Sequence, residues 1–261
     1  MNAKMHCGAG LAMAMLLVAF AVGANADFSP GRSAVQAGGA GDFVSLFNGR
    51  DLSGWKIPAG DNGHWRVVDG VIDYDAESES SEDKSLWSER TFGNFILRVE
   101  WRIKGTPYTN PSVPIIRFDG THKKDATGRE IRIPVPDADS GIYVRGSSKA
   151  QVNIWCWPIG SGEVYGYRTD ATQPATVRAG VTPTRNADRD IGEWNRFEIT
   201  LRGDRLTVVL NGEEVITSAQ LPGVPARGPI ALQHHGEKRG GTWVSPPSLV
   251  QFRNIAIKEL P

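Results

Sequence analysis

Two adjacent histidines open the chemical reading of this chain. They stand in "IALQHHG", residues 230–236, in a sequence that holds only five histidines. In an extended strand successive side chains point to opposite faces. His234 then shares a face with Ile230 and Leu232 and caps an apolar row. His235 shares the other face with Gln233 as a polar pair.

The same alternation gathers more polar residues on strand faces. In "SGIYVRG" Ile142 and Val144 go inward, while Tyr143 and Arg145 go outward together. In "AQVNIWCWP" Val152, Ile154 and Cys156 take the apolar side and leave Gln151, Asn153, Trp155 and Trp157 on the other. "FGNFILRVEWRIKG" puts Phe95, Leu97, Val99, Trp101 and Ile103 on one face and Ile96, Arg98, Glu100 and Arg102 opposite. A sheet face of Gln, Asn, Arg, Glu, His and paired tryptophans suits sugar recognition. Planar polar groups bond hydroxyls in pairs, and aromatic rings stack on the C–H faces of a pyranose. The plainer alternative is an ordinary solvated face of an antiparallel sheet, with the tryptophans packed under a loop.

Other constellations are sparser. "GSGEVYGY", residues 160–167, is glycine-rich but lacks the strand–loop–helix context of a phosphate cradle; its Tyr165 and Tyr167 either line a cleft or pack. Asp137 and Asp139 in "PDADSG" either ligate calcium or form a turn. Hydrolysis by two opposed carboxyl groups has only Glu100 from a strand, with Asp139 and Glu163 from loops, so a two-carboxylate mechanism is poorly supported.

The elements that must hold these residues are short strands punctuated by Gly, Pro and Asn, which indicate an all-β sandwich or barrel. Asp69-Gly70, Gly203-Asp204 and Asn211-Gly212 mark tight hairpins. Residues 105–137 read as an insertion with two short strands, "IIRF" and "REIRIPV". Residues 169–194 form a long loop without period, of a kind that is uncommon unless functional or mobile. Residues 1–26, with Lys4, an apolar run from Leu11 to Val22 and small residues before the expected cut after Ala26, read as a signal peptide. The run is too short for a membrane span, and no later segment approaches the roughly 20 apolar residues that a span needs. Residues 27–41 are small and polar, as in a flexible linker, and residues 42–261 are expected to make one domain. The expected location is therefore secreted or periplasmic. Cleavage leaves Cys156 alone, so the core must stabilise the fold without a disulfide. Twenty-nine basic residues balance twenty-nine acidic ones, and nothing points to a nucleic-acid or anionic-membrane partner.

The blocks "FVSLFNGRDLSGW", "HWRVVDGVI", "LWSERTFGNFILRVEWRI", "DSGIYVRG", "GEWNRFEITLRGDRLTVVLNGEEV" and "IALQHHG...VQFRNIAIKEL" together resemble the 3-keto-disaccharide hydrolase family. That resemblance implies a jelly-roll β-sandwich of two antiparallel sheets, concanavalin A-like, and an exported enzyme acting on glycosides oxidised to a ketone at C3. The ketone acidifies the C2 proton, so a base can remove it and the C1 substituent can leave; addition of water then gives net hydrolysis. By position in "QHHG", His235 is the expected general base or metal ligand, with Glu100 as second candidate base. Arg145 would stabilise the enolate or orient a hydroxyl. Gln233, Tyr143 and Asn153 would bind the saccharide, with Gln151, Trp155, Trp157, Tyr165 and Tyr167 lining its site. A divalent metal such as calcium is a candidate cofactor, with Asp139, His235 and Glu100 as candidate ligands. Two positions depart from the family pattern: His234 replaces a usual acid, and "QVN" at 151–153 replaces a common "EVQ". The competing reading is a noncatalytic glycan-binding module on the same sandwich.

Overall fold

The computed structural model describes residues 42–261; the expected signal peptide (1–26) and linker (27–41) lie outside the described residues. In chain order the strands are β1 (Val44–Ser45), β2 (Trp55–Lys56), β3 (Trp65–Val68), β4 (Val71–Tyr74), β5 (Leu86–Ser88), β6 (Phe95–Ile103), β7 (Tyr108–Pro114), β8 (Arg132–Asp137), β9 (Asp139–Val144) and β10 (Ser147–Trp155). Two short helices follow, α1 (Tyr165–Arg168) and α2 (Ala175–Gly180). Then come β11 (Asn195–Arg202), β12 (Arg205–Leu210), β13 (Glu213–Gln220), β14 (Ala231–Leu232), β15 (Lys238–Arg239), β16 (Thr242–Trp243) and β17 (Val250–Glu259). The larger sheet runs β13-β12-β11-β6-β17-β4-β3, with β1 on β17, and the smaller runs β10-β9-β14-β5-β2. The strand pairs are antiparallel and form the expected two-sheet jelly-roll sandwich.

Alternation explains why these strands face as they do. Along β6 every second residue is buried, Phe95 through Ile103, and the intervening residues are half-exposed. The buried row meets Phe197, Ile199 and Leu201 of β11 and, from the smaller sheet, Ile142, Val144, Val152, Ile154 and Leu232 in one core. Each such side chain contributes about 1.5–3 kcal/mol by leaving water. The Asp69-Gly70 and Asn211-Gly212 turns have positive φ at both residues, as type I′ hairpins require. At Gly203-Asp204 only Gly203 is left-handed, the pattern of a type II′ turn, in which glycine takes the first central position.

Three local expectations are corrected. The strand in the insertion is not "IIRF" but β7, which pairs with β8 as a ribbon outside both sheets. Its two prolines suit an edge but mask a strand signal. The long loop after Arg168 contains α2. Arg145 does not point outward with Tyr143. It and Gly146 take left-handed φ values of 50° and 69° in a two-residue turn between Val144 and Ser147, which ends the strand alternation. The Arg145 side chain is 2% exposed. It donates to the carbonyls of Gly93 (2.7 Å), Gly203 (2.6 Å) and Pro225 (3.2 Å) and to Asn94 Oδ1 (3.1 Å). Arg145 therefore fastens loops at one end of the sandwich.

Hydrogen bonds from a charged donor contribute about 1.5–3 kcal/mol each, and orphaned acceptors add a cost. Arg145→Ala is expected to lower unfolding stability by at least about 3 kcal/mol in a urea titration, while ligand binding by the folded fraction is unchanged. A loss of binding without a loss of stability would return Arg145 to the site.

Candidate functional site

The smaller sheet presents a grid of side chains on its outer face. Gln151, Asn153 and Trp155 of β10 stand opposite Tyr143, Gly141 and Asp139 of β9. On the far side of β9, Tyr143 pairs with Ala231 of β14, and the Gln233 amide nitrogen donates to the Gly141 carbonyl at 2.9 Å. Directly opposed residues share a face, so the period of two that sends Val152, Ile154, Ile142 and Leu232 inward sends the polar row outward. A cavity of about 360 Å³ opens there, walled by Gln151, Asn153, Trp155, Asp139, Gln233 and His235. Asp137, Trp157, Asn110, Tyr165 and Pro246 complete it.

Gly141 makes room for the amides. A Cβ at this position would lie 2.7 Å from Gln151 Cγ, well inside van der Waals contact. The space lets Gln151 lie across β9, where its Nε2 donates to the Ser140 carbonyl (3.2 Å) and to Gln233 Oε1. Gln233 Oε1 is thereby the acceptor, and its Nε2 remains a donor. Tyr143 lies beside this amide, and burial pushes its hydroxyl up to about 12, so it stays a neutral O–H.

His235 and Asp139 are the titratable pair of this cavity. His235 Nδ1 lies 2.6 Å from the Pro246 carbonyl. A carbonyl only accepts, so Nδ1 carries the proton of the neutral ring and Nε2 keeps the lone pair. Burial raises the Asp139 carboxyl well above the usual carboxylate range; nearby His235 pulls it down and Asp137 pushes it further up. Asp137, also raised by burial, is occupied: it accepts from Trp157 Nε1 (2.9 Å), Asn110 Nδ2 (3.2 Å) and the Cys156 amide (3.4 Å). Asp139 is left as the carboxyl free to act.

The tryptophans form one wall. Trp155 and Trp157 stack at 4.2 Å with planes 6° apart, and Tyr165 meets Trp155 edge-on at 6.2 Å. Trp155 is 3% exposed and donates to the Gly160 carbonyl at 2.7 Å. The pair is therefore partly covered, as the plainer reading expected, yet it still borders the cavity.

Besides Arg145, two more expected site residues lie elsewhere. Glu100 projects from the outer face of the larger sheet, across the core from the cavity, and pairs with Arg253 at 2.7 Å. Its face was legible from alternation, but the sheet it belongs to was not. Tyr167 is 1% exposed and packs in the core, with its hydroxyl donating to the Pro222 carbonyl at 3.2 Å; the α1 turn separates it from Tyr165. Glu163 is also buried, in an ion pair with Arg168. His234 Nδ1 and the Tyr74 hydroxyl are hydrogen-bonded at 2.7 Å, and burial lowers the imidazole to about 4, so it stays neutral on the apolar side as alternation implied. Asn110 and Pro246 were missed, because a proline-rich ribbon and a main-chain carbonyl leave no motif.

The donors do not fit calcium, which takes six to eight oxygens. Asp139 is the one unengaged carboxylate in the wall, His235 offers nitrogen, and Glu100 is on the other sheet. Among the described residues no group of three or more His, Cys, Asp or Glu is arranged around a common centre.

Residues 42–258 match the family model described as a 3-keto-alpha-glucoside-1,2-lyase-like domain. The chain belongs to this family. It is thus a carbohydrate-active hydrolase- or lyase-like domain. Among solved structures it is similar to two candidate glycosyl hydrolases from Parabacteroides distasonis. One is 23% identical over 84% of both chains, with a TM-score of 0.49, and the other 19% identical over 84% of this chain and all of that one, also at 0.49. A carbohydrate-binding module from Bacillus subtilis is 13% identical over 79% of this chain and 96% of that one, at 0.39. Comparison with curated proteins gives no match. No helix among the described residues is long and apolar enough to cross a membrane.

If Gly141 makes the room for the amide pair, Gly141→Ala must displace Gln151. Saccharide affinity is expected to fall about tenfold by calorimetry, with a small stability change, since one or two hydrogen bonds are lost. Unchanged affinity would show that the amides do not contact the ligand.

Proposed function

We propose that this family member cleaves 3-keto-glycosides by elimination across C1 and C2, with His235 as the base. The observation that carries the reading is the Nδ1–H bond of His235 to Pro246, which leaves a lone pair on Nε2 in a saccharide-sized cavity. Nε2 takes the C2 proton, and the C–H electrons form a C2–C3 double bond as the ketone oxygen becomes an enolate. Asp139, whose carboxyl burial raises well above the usual carboxylate range, donates in its protonated form to that oxygen, in the role first expected of Arg145, as a buried neutral carboxylic acid does elsewhere. When the enolate collapses, the C1–O bond breaks, a C1–C2 double bond forms, and the leaving oxygen recovers the proton from His235. Water adding to the double bond would give net hydrolysis.

The cavity wall includes no lysine or arginine to pair with a carboxylated sugar, so a neutral saccharide is the substrate that fits it. The expected leader over residues 1–26 makes this an exported, secreted or periplasmic activity. No step needs a metal.

The test compares a 3-keto-glucoside carrying a chromogenic leaving group with its unoxidised counterpart. Release is expected from the keto form alone, falling about 10²–10⁴-fold in His235→Ala, the usual range for a lost general base. Binding of both substrates without release would favour the glycan-binding module.

Asp139 sets a pH dependence with a definite sign. As a protonated donor it works below its raised pKa and fails above it, so kcat should fall on the alkaline side. Asp139→Asn keeps an N–H donor and should retain much of the rate while removing that alkaline fall. Complete loss of activity in Asp139→Asn would instead identify Asp139 as the base.

A further inference from the structure

The row next to the cavity crosses the whole smaller sheet. Lys56 of β2 stands opposite Trp87 of β5, Trp87 opposite Ala231 of β14, Ala231 opposite Tyr143 of β9, and Tyr143 opposite Gln151 of β10. All five share the outer face. Trp87 and Tyr143 sit two strands apart, roughly 10 Å between backbones, with the small Ala231 between them. Over that alanine their rings stack at 5.6 Å with planes 12° apart.

Trp87 is unusual among the partly exposed tryptophans. Trp157 stacks on Trp155 and donates to Asp137. Trp194 lies between the guanidinium groups of Arg102 (4.7 Å) and Arg253 (3.9 Å). Trp243 packs on the core under Lys238. Among the described residues Trp87 has no cation over its ring and is not packed on the core; its ring meets Tyr143, and its Nε1 donates to Asp83 Oδ2 at 2.6 Å. That hydrogen bond fixes the indole orientation, which lowers the entropic cost of binding a flat ligand. The platform continues into the cavity, because Tyr143 adjoins the Gln233 amide. The cavity itself is near the low end of small-ligand pockets in volume, and a glycan longer than it holds would extend over its rim onto this row.

We propose that Trp87 and Tyr143 form a second saccharide subsite, on which the ring next to the reacting one stacks, with the glycan laid across the strands from β10 toward β5. This rests on the saccharide reading of the cavity, and it adds a contact that one-ring substrates do not make. Stacked aromatic contacts of this type are modest in energy, and their loss reads as about a tenfold change in affinity.

The experiment measures kcat/KM on methyl 3-keto-glucoside, which has one ring, and on a 3-keto-disaccharide for wild type, Trp87→Ala and Trp87→Phe. Calorimetry of an unoxidised disaccharide runs in parallel. The expected result is a loss of about tenfold in Trp87→Ala for the disaccharide alone, carried by KM, with Trp87→Phe restoring most of it because it keeps the stack on Tyr143. Equal losses on both substrates, or none, overturn the subsite and leave the aromatic pair a cross-strand packing contact. If wild type turns over neither substrate, the ketone-dependent reaction fails, and calorimetry still decides the platform: weaker disaccharide binding in Trp87→Ala upholds it and equal binding overturns it.

Discussion

The register between β10, β9 and β14 decides which side chains meet. Because the side-chain period is two, a slip of one residue in any of the three strands would exchange the polar grid for Val152, Ile154, Ile142 and Leu232. The core resists that slip, since burying the polar row in its place would strand amides and carboxylates without partners. Hydrophobic burial on one face thus fixes polar geometry on the other. Main-chain pairing refines it: Ser140 donates through Oγ to the Gln233 carbonyl at 2.9 Å, and the Gln233 amide pairs with Gly141. Asp139, Gln151, Asn153 and Trp155 accordingly stand on strands, where position is better held than on loops, and Gln233 and His235 follow directly on β14.

Burial also sorts the acids by their partners. Asp137, Asp139, Glu163 and Asp188 are all pushed up by loss of water. Glu163 has Arg168, Asp137 has two side-chain donors and an amide, and Asp188 accepts from the Ser161 amide at 2.8 Å. Asp139 has His235 nearby and no comparable set of donors. A carboxyl in that position gains most from a ligand that supplies an acceptor for its proton or a donor for its charge. The same physics that destabilises its charged form makes it chemically available, whereas the better-bonded acids hold the tryptophan wall and the loop beside it.

Much of this was legible in the sequence because alternation is a local rule. It placed Gln151, Asn153, Trp155, Gln233, His235 and Tyr143 on polar faces, and it separated His234 from His235. It failed where the backbone left the strand. Arg145 adopts left-handed φ one residue beyond β9, so its side chain no longer follows the period, and its bonds are to main-chain carbonyls that carry no sequence signal. Tyr167 follows a helical turn, which converts a two-residue spacing from Tyr165 into a change of side. Glu100 obeyed the rule, but alternation says nothing about which sheet a strand joins, and that single unknown moves a residue from the cavity to the opposite surface. Asn110 reached the wall on a ribbon whose prolines hid it.

The two departures from the family pattern now have different physical meanings. His234 lies on the apolar side, tied to a Tyr74 that stacks on Trp65 at 3.7 Å. A change there alters the support behind the wall and leaves the wall's own charge alone. Gln151 is in the wall, and its amide donates to two acceptors, the Ser140 carbonyl and Gln233 Oε1. A glutamate at 151, if ionised, could donate to neither, so Gln233 would have to turn its Nε2 toward the carboxylate and present Oε1 to the ligand. The exchange of acid for amide therefore does more than remove a charge: it reverses the polarity of the neighbouring amide and gives the cavity a donor where the commoner pattern would place an acceptor. That reversal favours a ligand oxygen with a free lone pair over a ligand hydroxyl hydrogen at this point.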